Sequence, residues 1–99
     1  MISESIRKYE YMAKRIGADK QRKTGTLREA LGATTTELRK QMGWSQRELA
    51  HRLGYELGTV RNFERAIKSP NLRTIEVFAR GFSLNVSSFI RAAERRIRR

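Results

Sequence analysis

Apolar residues recur along the chain at spacings of three and four, with polar and basic residues between them. Over residues 2–16 this spacing predicts an amphipathic helix that ends at Gly17. Its apolar stripe is Ile2, Ile6, Tyr9, Met12 or Ala13, and Ile16. Residues 17–26 contain basic and small residues but no large apolar one, and we interpret them as a basic linker. The sequence therefore predicts an N-terminal unit over residues 1–26 and a helical domain over residues 27–99.

From residue 27 onward the pattern predicts short helices separated by glycine, proline and asparagine. The first begins near Arg28 and ends at Gly43; because Glu37 follows Thr34 at the spacing of a capping box, a start at the threonine run is the alternative. The predicted apolar stripes are Leu27, Leu31, Leu38 and Met42; Leu49, Ala50 and Leu53; Val60, Phe63 and Ile67; Leu72, Ile75, Phe78, Ala79 and Phe82; and Val86, Phe89, Ile90, Ala93 and Ile97. No segment shows the alternation of a strand, so the predicted fold class is all-α.

The second and third helices of this domain are joined by the short segment Gly54, Tyr55 and Glu56. A three-residue turn that starts with glycine is the connection that a helix-turn-helix requires. Ser45 is the predicted N-cap of the first of the two helices, with Glu48 completing a capping box. On the second helix, the residues opposite the inward stripe are Leu57, Gly58, Arg61, Asn62 and Arg65. Since arginine binds guanine and asparagine binds adenine in the major groove, this face is a candidate for reading DNA bases.

The charge of the chain favours the same partner. It has 22 Lys and Arg residues against 10 Asp and Glu residues, for a formal charge of +12. Such an excess calls for a polyanion, and nucleic acid is the leading candidate because neutralised phosphates release condensed counterions. Double-stranded DNA is therefore the predicted partner.

Several other chemistries are excluded or disfavoured by the sequence. The chain has no cysteine and one histidine, His51, which rules out disulfides and zinc fingers and predicts no metal site and no cofactor. No Ser/His/Asp set, phosphate-binding glycine loop or carboxylate pair is recognisable, so we do not expect an enzyme. No apolar run approaches the ~18 residues of a membrane span. We expect a cytoplasmic, nucleoid-associated protein without a membrane partner.

Four segments together resemble the phage-repressor helix-turn-helix family, also described as Cro/lambda-repressor-like or Xre-type. Residues 38–50 (LRKQMGWSQRELA) resemble the opening of its motif, and residues 59–65 (TVRNFER) resemble its recognition helix. Residues 68–70 and 72–75 match the following loop and the fourth helix of the family. The resemblance covers about residues 27–90. It implies a five-helix lambda-repressor-like domain, here with an additional N-terminal helix, and a transcriptional regulator, with a repressor as the first choice.

The resemblance also implies roles for individual residues. The base-facing positions are Leu57, Gly58, Arg61 and Asn62; the positions expected to contact phosphates are Ser45, Gln46, Tyr55, Arg65, Lys68 and Ser69. Arg39 and Glu64 match a structural ion pair beneath the motif. Gly58 departs from the family because it offers no side chain to a base. Ala66 stands where the family has glycine, at a cost of about 1 kcal/mol if that residue is left-handed.

The sequence leaves some assignments open. A homodimer is expected, formed by the N-terminal helix, the C-terminal helix or both. Alternative functions are an antitoxin, with residues 1–26 binding a toxin, and a bridging-factor-like adaptor. Trp44 is expected to pack in the core, whereas Tyr55 is either a phosphate contact or a solvent-facing turn residue. The basic C-terminus is either a solvated helix end or a tail that contacts the DNA backbone; its residues are Arg91, Arg95, Arg96, Arg98 and Arg99.

Overall fold

The computed structural model describes residues 25–97, and all the regular elements in this range are helices. They are α1 (Leu27–Gln41), α2 (Gln46–Leu53), α3 (Leu57–Arg65), α4 (Leu72–Gly81) and α5 (Val86–Glu94). The predicted all-α, five-helix fold is thereby confirmed. The helix predicted over residues 2–16 and the linker up to residue 24 lie outside the described residues.

Four of the five helices begin at a side chain that caps the first turn. Thr26, Ser45, Asn71 and Asn85 each accept a hydrogen bond from the backbone N–H three residues later. At Thr26 the capping box is complete, because Glu29 accepts in return from the Thr26 backbone N–H. The first helix therefore starts at the residue after Thr26, and the alternative start at the threonine run is wrong.

The capping box predicted at Ser45 is formed only in its first half. The Ser45 hydroxyl accepts from the backbone N–H of Glu48 at 3.0 Å. The Glu48 carboxylate, however, forms an exposed ion pair with Arg52 at 3.3 Å, one turn further along α2. The i,i+4 partner draws this carboxylate away from the cap.

Four helices end in a left-handed residue that reverses the chain within a few residues. Gly43, Gly54, Ala66 and Ser83 all have a positive φ, and in each case the next residue donates its N–H to the carbonyl five positions back. This pattern is the Schellman motif, which satisfies the last carbonyls of a helix. Glycine adopts this conformation freely, but alanine and serine do so at a cost. The connections between helices are short because the chain turns at the helix end itself.

The core lies where α1 crosses α3 and α5 and where α2 and α4 close the other side. Leu31, Leu49, Val60, Phe78 and Phe89 are its largest fully buried apolar side chains. The rings of Phe63 and Phe78 stack with centroids 3.9 Å apart and an interplanar angle of 11°, which joins α3 to α4.

Four residues of the predicted apolar stripes are exposed, and for these four the prediction is wrong. Ile67 is 60% exposed and Leu72 is 75% exposed. Ile67 leaves the helical phase of Val60 and Phe63 because the left-handed Ala66 ends α3 just before it. Leu72 is the first residue of α4, and side chains lean toward the N-terminus of a helix, so this one points past the core. The ends of the α1 stripe are likewise exposed, at Leu27 and Met42.

The basic C-terminus requires a correction at one position. Arg96 is 4% exposed, so it belongs neither to a solvated helix end nor to a DNA-contacting tail. Its Nε donates to Thr34 Oγ1 at 3.0 Å, and its guanidinium pairs with Glu37, so that the end of α5 is tied to α1. Arg91 and Arg95 are exposed. The remaining two arginines follow the described residues.

Candidate nucleic-acid interface

The turn between α2 and α3 has the geometry that a helix-turn-helix requires. Gly54 is left-handed, with φ 73° and ψ 25°. Its N–H donates to the His51 carbonyl at 3.2 Å, and the N–H of Tyr55 donates to the Ala50 carbonyl at 3.0 Å. The chain therefore leaves α2 in a new direction within one residue, and α3 packs across α2.

The two faces of α3 separate buried from exposed residues as the sequence pattern predicts. Val60, Phe63 and Glu64 are buried against the domain. Of the predicted outward residues, Gly58, Arg61, Asn62 and Arg65 are exposed, and Leu57 is half-buried. The helix thus presents an arginine and an asparagine on neighbouring positions of an accessible face.

Gly58 is not required by the fold. A Cβ built at this residue has no atom within 4 Å, and its φ is not positive. Since a glycine in a helix costs free energy relative to alanine, the protein carries this residue without a packing or conformational reason. What Gly58 does provide is a position on the outer face of α3 where the backbone is bare.

The N-terminus of α3 differs from the other helix starts. Its N-cap is Glu56, whose side chain makes no hydrogen bond to the first turn, and that turn contains no acidic residue. The partial positive charge of the helix dipole at this end is therefore not offset by a side-chain cap. Glu56 itself is exposed.

Glu64 attaches α3 to α1 through a buried ion pair with Arg39. Arg39 Nε donates to Glu64 Oε2 at 2.7 Å and its Nη2 donates to Oε1 at 3.2 Å, and the two side chains are 11% and 5% exposed. The remaining Arg39 nitrogen, Nη1, donates to the Trp44 carbonyl at 2.9 Å. The ion pair that the family resemblance implied is therefore present, with both carboxylate oxygens bonded.

Gln46 belongs to the same network. Its Nε2 donates to Glu64 Oε1 at 3.0 Å, so the first side chain of α2 is connected to α3 through the buried carboxylate. Each amide nitrogen carries two hydrogens, and the second remains for another acceptor. The sequence reasoning assigned Gln46 to a phosphate but did not anticipate this internal partner.

The other residues predicted to contact phosphates occupy different settings. Arg65, Lys68 and Ser69 are exposed. Ser45 is also exposed, and its hydroxyl oxygen caps α2. Tyr55 is half-buried and its ring lies against Phe78, with centroids 6.0 Å apart, so it is not a solvent-facing turn residue.

Trp44 packs against the core, as expected from the sequence, and its ring contacts two side chains. Its ring stacks on Phe82 at a centroid distance of 6.0 Å and an angle of 16°. The Arg52 guanidinium lies over the indole ring in a cation–π contact, with its carbon 4.1 Å from the ring centroid. These contacts agree with a packing role for Trp44.

The surface around the motif is basic. Over residues 45–73 the exposed cations are Arg47, Arg52, Arg61, Arg65, Lys68 and Arg73. This range has three acidic residues, and one of them, Glu64, is neutralised by its ion pair with Arg39. This excess of positive charge matches the phosphate backbone of a duplex.

Sequence reasoning missed Gly32, which positions the motif from α1. It is buried, and a Cβ there would lie 2.5 Å from the Glu64 carbonyl oxygen and 2.8 Å from that of Phe63. The available signal was a lone glycine inside a predicted helix, which often marks close packing.

Within residues 25–97 we find no cluster of three or more His, Cys, Asp and Glu side chains that could hold a metal. Nor is any helix in that range long and apolar enough to cross a membrane.

A left-handed turn between two short helices, an outer helix face with arginine and asparagine, and a basic surround define a helix-turn-helix DNA-binding domain. In agreement, the model of the HTH_3 helix-turn-helix family matches residues 36–89. The chain belongs to this family, and the resemblance to Cro- and Xre-type proteins is confirmed.

Solved structures of similar fold support the same assignment. The clp gene regulator ClgR from C. glutamicum has a TM-score of 0.68 and 26% identity, covering 74% of this chain and 94% of that protein. The hypothetical transcription factor NHTF from Neisseria has a TM-score of 0.62 and 29% identity, covering 66% and 75%. An HTH_3 family transcriptional regulator from Vibrio cholerae has a TM-score of 0.60 and 25% identity, covering 66% and 36%. The comparison with curated proteins gave no match.

Proposed function

We propose that this protein is a sequence-specific transcriptional regulator that binds double-stranded DNA by inserting α3 into the major groove. The observation that carries the proposal is the outer face of α3, where Arg61 and Asn62 are exposed on a helix held rigidly from below. The family and the regulators of similar structure support it. We propose repression as its mode of regulation, because a protein bound to DNA excludes other proteins from the base pairs that it covers.

In this proposal Arg61 and Asn62 read the bases directly. Arginine pairs with guanine and asparagine with adenine, each through two hydrogen bonds, and each good pair discriminates by about 1–3 kcal/mol. Gly58 brings the backbone of α3 close to the floor of the groove, since no side chain intervenes. Leu57 completes the base-facing set.

The phosphate contacts are proposed for residues that surround this face: Ser45, Gln46, Tyr55, Arg65, Lys68 and Ser69. Arg65 and Lys68 supply charge at the C-terminal end of α3, and both are exposed. The second N–H of Gln46 is available beside the N-terminus of α2, where the helix dipole favours an anion. These contacts fix the register of the protein on the duplex without reading sequence.

We propose further that the protein binds as a homodimer in the cytoplasm, on a site with two-fold symmetry. The apolar stripe of α5 is used in the core, because Phe89 and Ala93 are buried and Val86, Ile90 and Ile97 pack against them. We therefore propose the stripe predicted over residues 2–16 as the dimerisation element. Deletion of residues 1–16 should halve the molar mass in light scattering; a dimer that persists after the deletion would place the interface within residues 17–99.

The test is selection of random duplex DNA on the purified full chain, followed by titration of the selected site against salt. A two-fold-symmetric site bound about 10³-fold or more above random DNA is the expected result. Binding that falls steeply with salt but ignores sequence would overturn the proposal. The charge of the surface alone would then account for DNA binding, and α3 would read nothing.

A further inference from the structure

Leu57 is a leucine whose place in the fold is unexplained by the core. It is the first residue of α3 and is half-buried. It is neither part of the core cluster nor among the half-buried apolar side chains that pack against that cluster, among the residues described. The helix is anchored instead by Val60, Phe63 and Glu64. Leu57 therefore holds an apolar side chain at the edge of the outer face, outside the core cluster.

The neighbour of Leu57 leaves space beside it. Gly58 has no side chain, and the volume that a Cβ would enter is open. Beside Leu57, the first turn of α3 thus presents a bare stretch of backbone on its outer side. One turn further along the helix, about 6 Å away, lies Arg61 on the same face.

An apolar side chain in the major groove can distinguish one feature of a base pair. The edges of adenine, guanine and cytosine present hydrogen-bond donors and acceptors there, and only thymine adds an apolar group, its C5-methyl. A half-exposed leucine beside a glycine gives that methyl a surface to contact and room to enter.

We infer that Leu57 is a specificity-determining residue that selects a pyrimidine C5-methyl group, one or two base pairs from the base read by Arg61. The inference rests on the proposed function, since it requires α3 to lie in the major groove. Burial of one methyl group against Leu57 corresponds to about a fourfold gain in affinity. In unmodified DNA the group belongs to thymine; in methylated DNA 5-methylcytosine carries it too.

The experiment removes the methyl and the leucine separately. Each thymine of the selected duplex is replaced singly by uracil, which differs only in lacking the methyl, and affinity is measured for the full-length protein and for Leu57→Ala. One thymine per half-site should lose about fourfold with the unmodified protein and nothing with Leu57→Ala. Uracil penalties that are the same in both proteins at every position would overturn the inference.

Two further variants serve as controls for Leu57→Ala. Leu57→Met keeps an apolar contact and should keep the uracil penalty. Leu72→Ala removes an exposed leucine on α4 and should leave the penalty unchanged. Loss of the position-specific penalty in Leu72→Ala would contradict the assignment to Leu57.

An additional pair of duplexes, with cytosine or 5-methylcytosine at the same position, identifies the source of the methyl group. Higher affinity for 5-methylcytosine than for cytosine assigns the contact to the methyl group on either pyrimidine. A gain in affinity confined to thymine assigns it to the T·A pair.

Failure of the inference is distinguishable from failure of the proposed function. If no sequence is enriched in the selection, α3 does not read bases and the proposed function falls. If a site is enriched and its uracil penalties are indifferent to Leu57→Ala, only the role of Leu57 falls.

Discussion

Gly32 of α1 lies against the backbone of Glu64 in α3, so closely that a Cβ on Gly32 would be 2.5 Å from the Glu64 carbonyl oxygen. The side chain of Glu64 is held by the same helix, because it accepts two hydrogen bonds from Arg39. Backbone and side chain of one residue on α3 are thus fixed by two residues of α1, two turns apart. The position of α3 is therefore set by contacts on its buried side, away from its exposed face.

Gly32→Ala should destabilise the protein because the added methyl group meets backbone atoms, which cannot move aside as a flexible side chain would. Overpacking of this kind costs about 1–3 kcal/mol, and more where the two helices must separate. The free energy of unfolding can be measured in denaturant from the fluorescence of Trp44, the single tryptophan of the chain.

Gly58→Ala is the matched control, since it makes the same substitution in a helix where the space is open. Its higher helix propensity should raise the free energy of unfolding by up to about 1 kcal/mol. In the selected DNA complex, however, the added methyl should weaken binding if the backbone of α3 approaches the bases at this point. Equal stability of the two alanine variants would disprove the close contact of α1 and α3.

Arg39→Met should cost about 3–5 kcal/mol of stability because it leaves the buried Glu64 carboxylate without its counter-charge. Adding Glu64→Gln removes that charge as well, so the double variant should lose less than the sum of the two single losses. Denaturation of all four proteins gives the coupling free energy. Additivity within about 0.5 kcal/mol would show that the ion pair has no energetic coupling.

Ala66→Gly should stabilise the protein by about 1 kcal/mol because Ala66 is held at φ 57°, where a Cβ is strained. Glycine also gives the unfolded chain more conformational freedom, which lowers the stability of the folded state. This opposing effect is smaller at a position that already requires the left-handed conformation. Thermal or chemical denaturation measures the change. Glu76→Gly, at an exposed position inside α4, is the control and should lose about 1 kcal/mol; a loss at both positions would contradict the strain at Ala66.

Local signals in the sequence indicate the helices and most of their ends. Asparagine, serine and glycine mark most of the caps, and the apolar spacing separates the buried from the exposed face of α3. The prediction for Ile67 fails because the helical period does not continue across the left-handed Ala66. Alanine itself does not indicate such a turn, and the only sign of it was the family resemblance, in which glycine occupies this position.

Contacts between distant parts of the chain were beyond the sequence pattern. Arg96 lies in a run of arginines that resembles any basic tail, yet it is buried against Thr34, 62 residues away. Gly32 similarly acquires its meaning only from the helix that crosses it. The face of α3 could be predicted because a helix carries its own periodicity, whereas the support beneath it depends on tertiary packing.

Arg61→Ala and Asn62→Ala should each cost about 1–3 kcal/mol on the selected site and relax the preference at one or two base pairs. Lys68→Ala should instead weaken binding to all sequences about equally and lower the salt slope by about one. Affinities for selected and random duplexes over a range of salt concentrations separate the two effects. The same loss and the same salt slope in all three variants would contradict a division into base-reading and phosphate-binding residues.

The capping box at the N-terminus of α1 should stabilise the protein less in acid. The Thr26 hydroxyl donates to the Glu29 carboxylate at 3.0 Å, with the Thr26 N–H donating at 3.1 Å, and these bonds hold the pKa of Glu29 below its ordinary value of 4.5. Because the folded state lowers this pKa, the associated stability is present above pH 4.5 and is lost as the pH falls through the lowered value.

A titration of the Glu29 side chain by NMR measures this pKa directly. In Thr26→Ala the hydroxyl donor is gone, so the pKa should move back toward its ordinary value. Glu29→Gln should make the stability of the protein less sensitive to acid. An identical Glu29 pKa with and without the Thr26 hydroxyl would show that the capping box does not cause the shift.

The attachment of α3 to the domain has a consequence for how DNA preference can change. Val60, Phe63 and Glu64 hold the helix, and none of them lies on the outer face. The exposed residues of α3 can therefore be replaced without disturbing the contacts that attach the helix to the domain. Under the proposed function, a few surface substitutions on α3 could change the DNA sequence that the protein prefers while its fold stays the same.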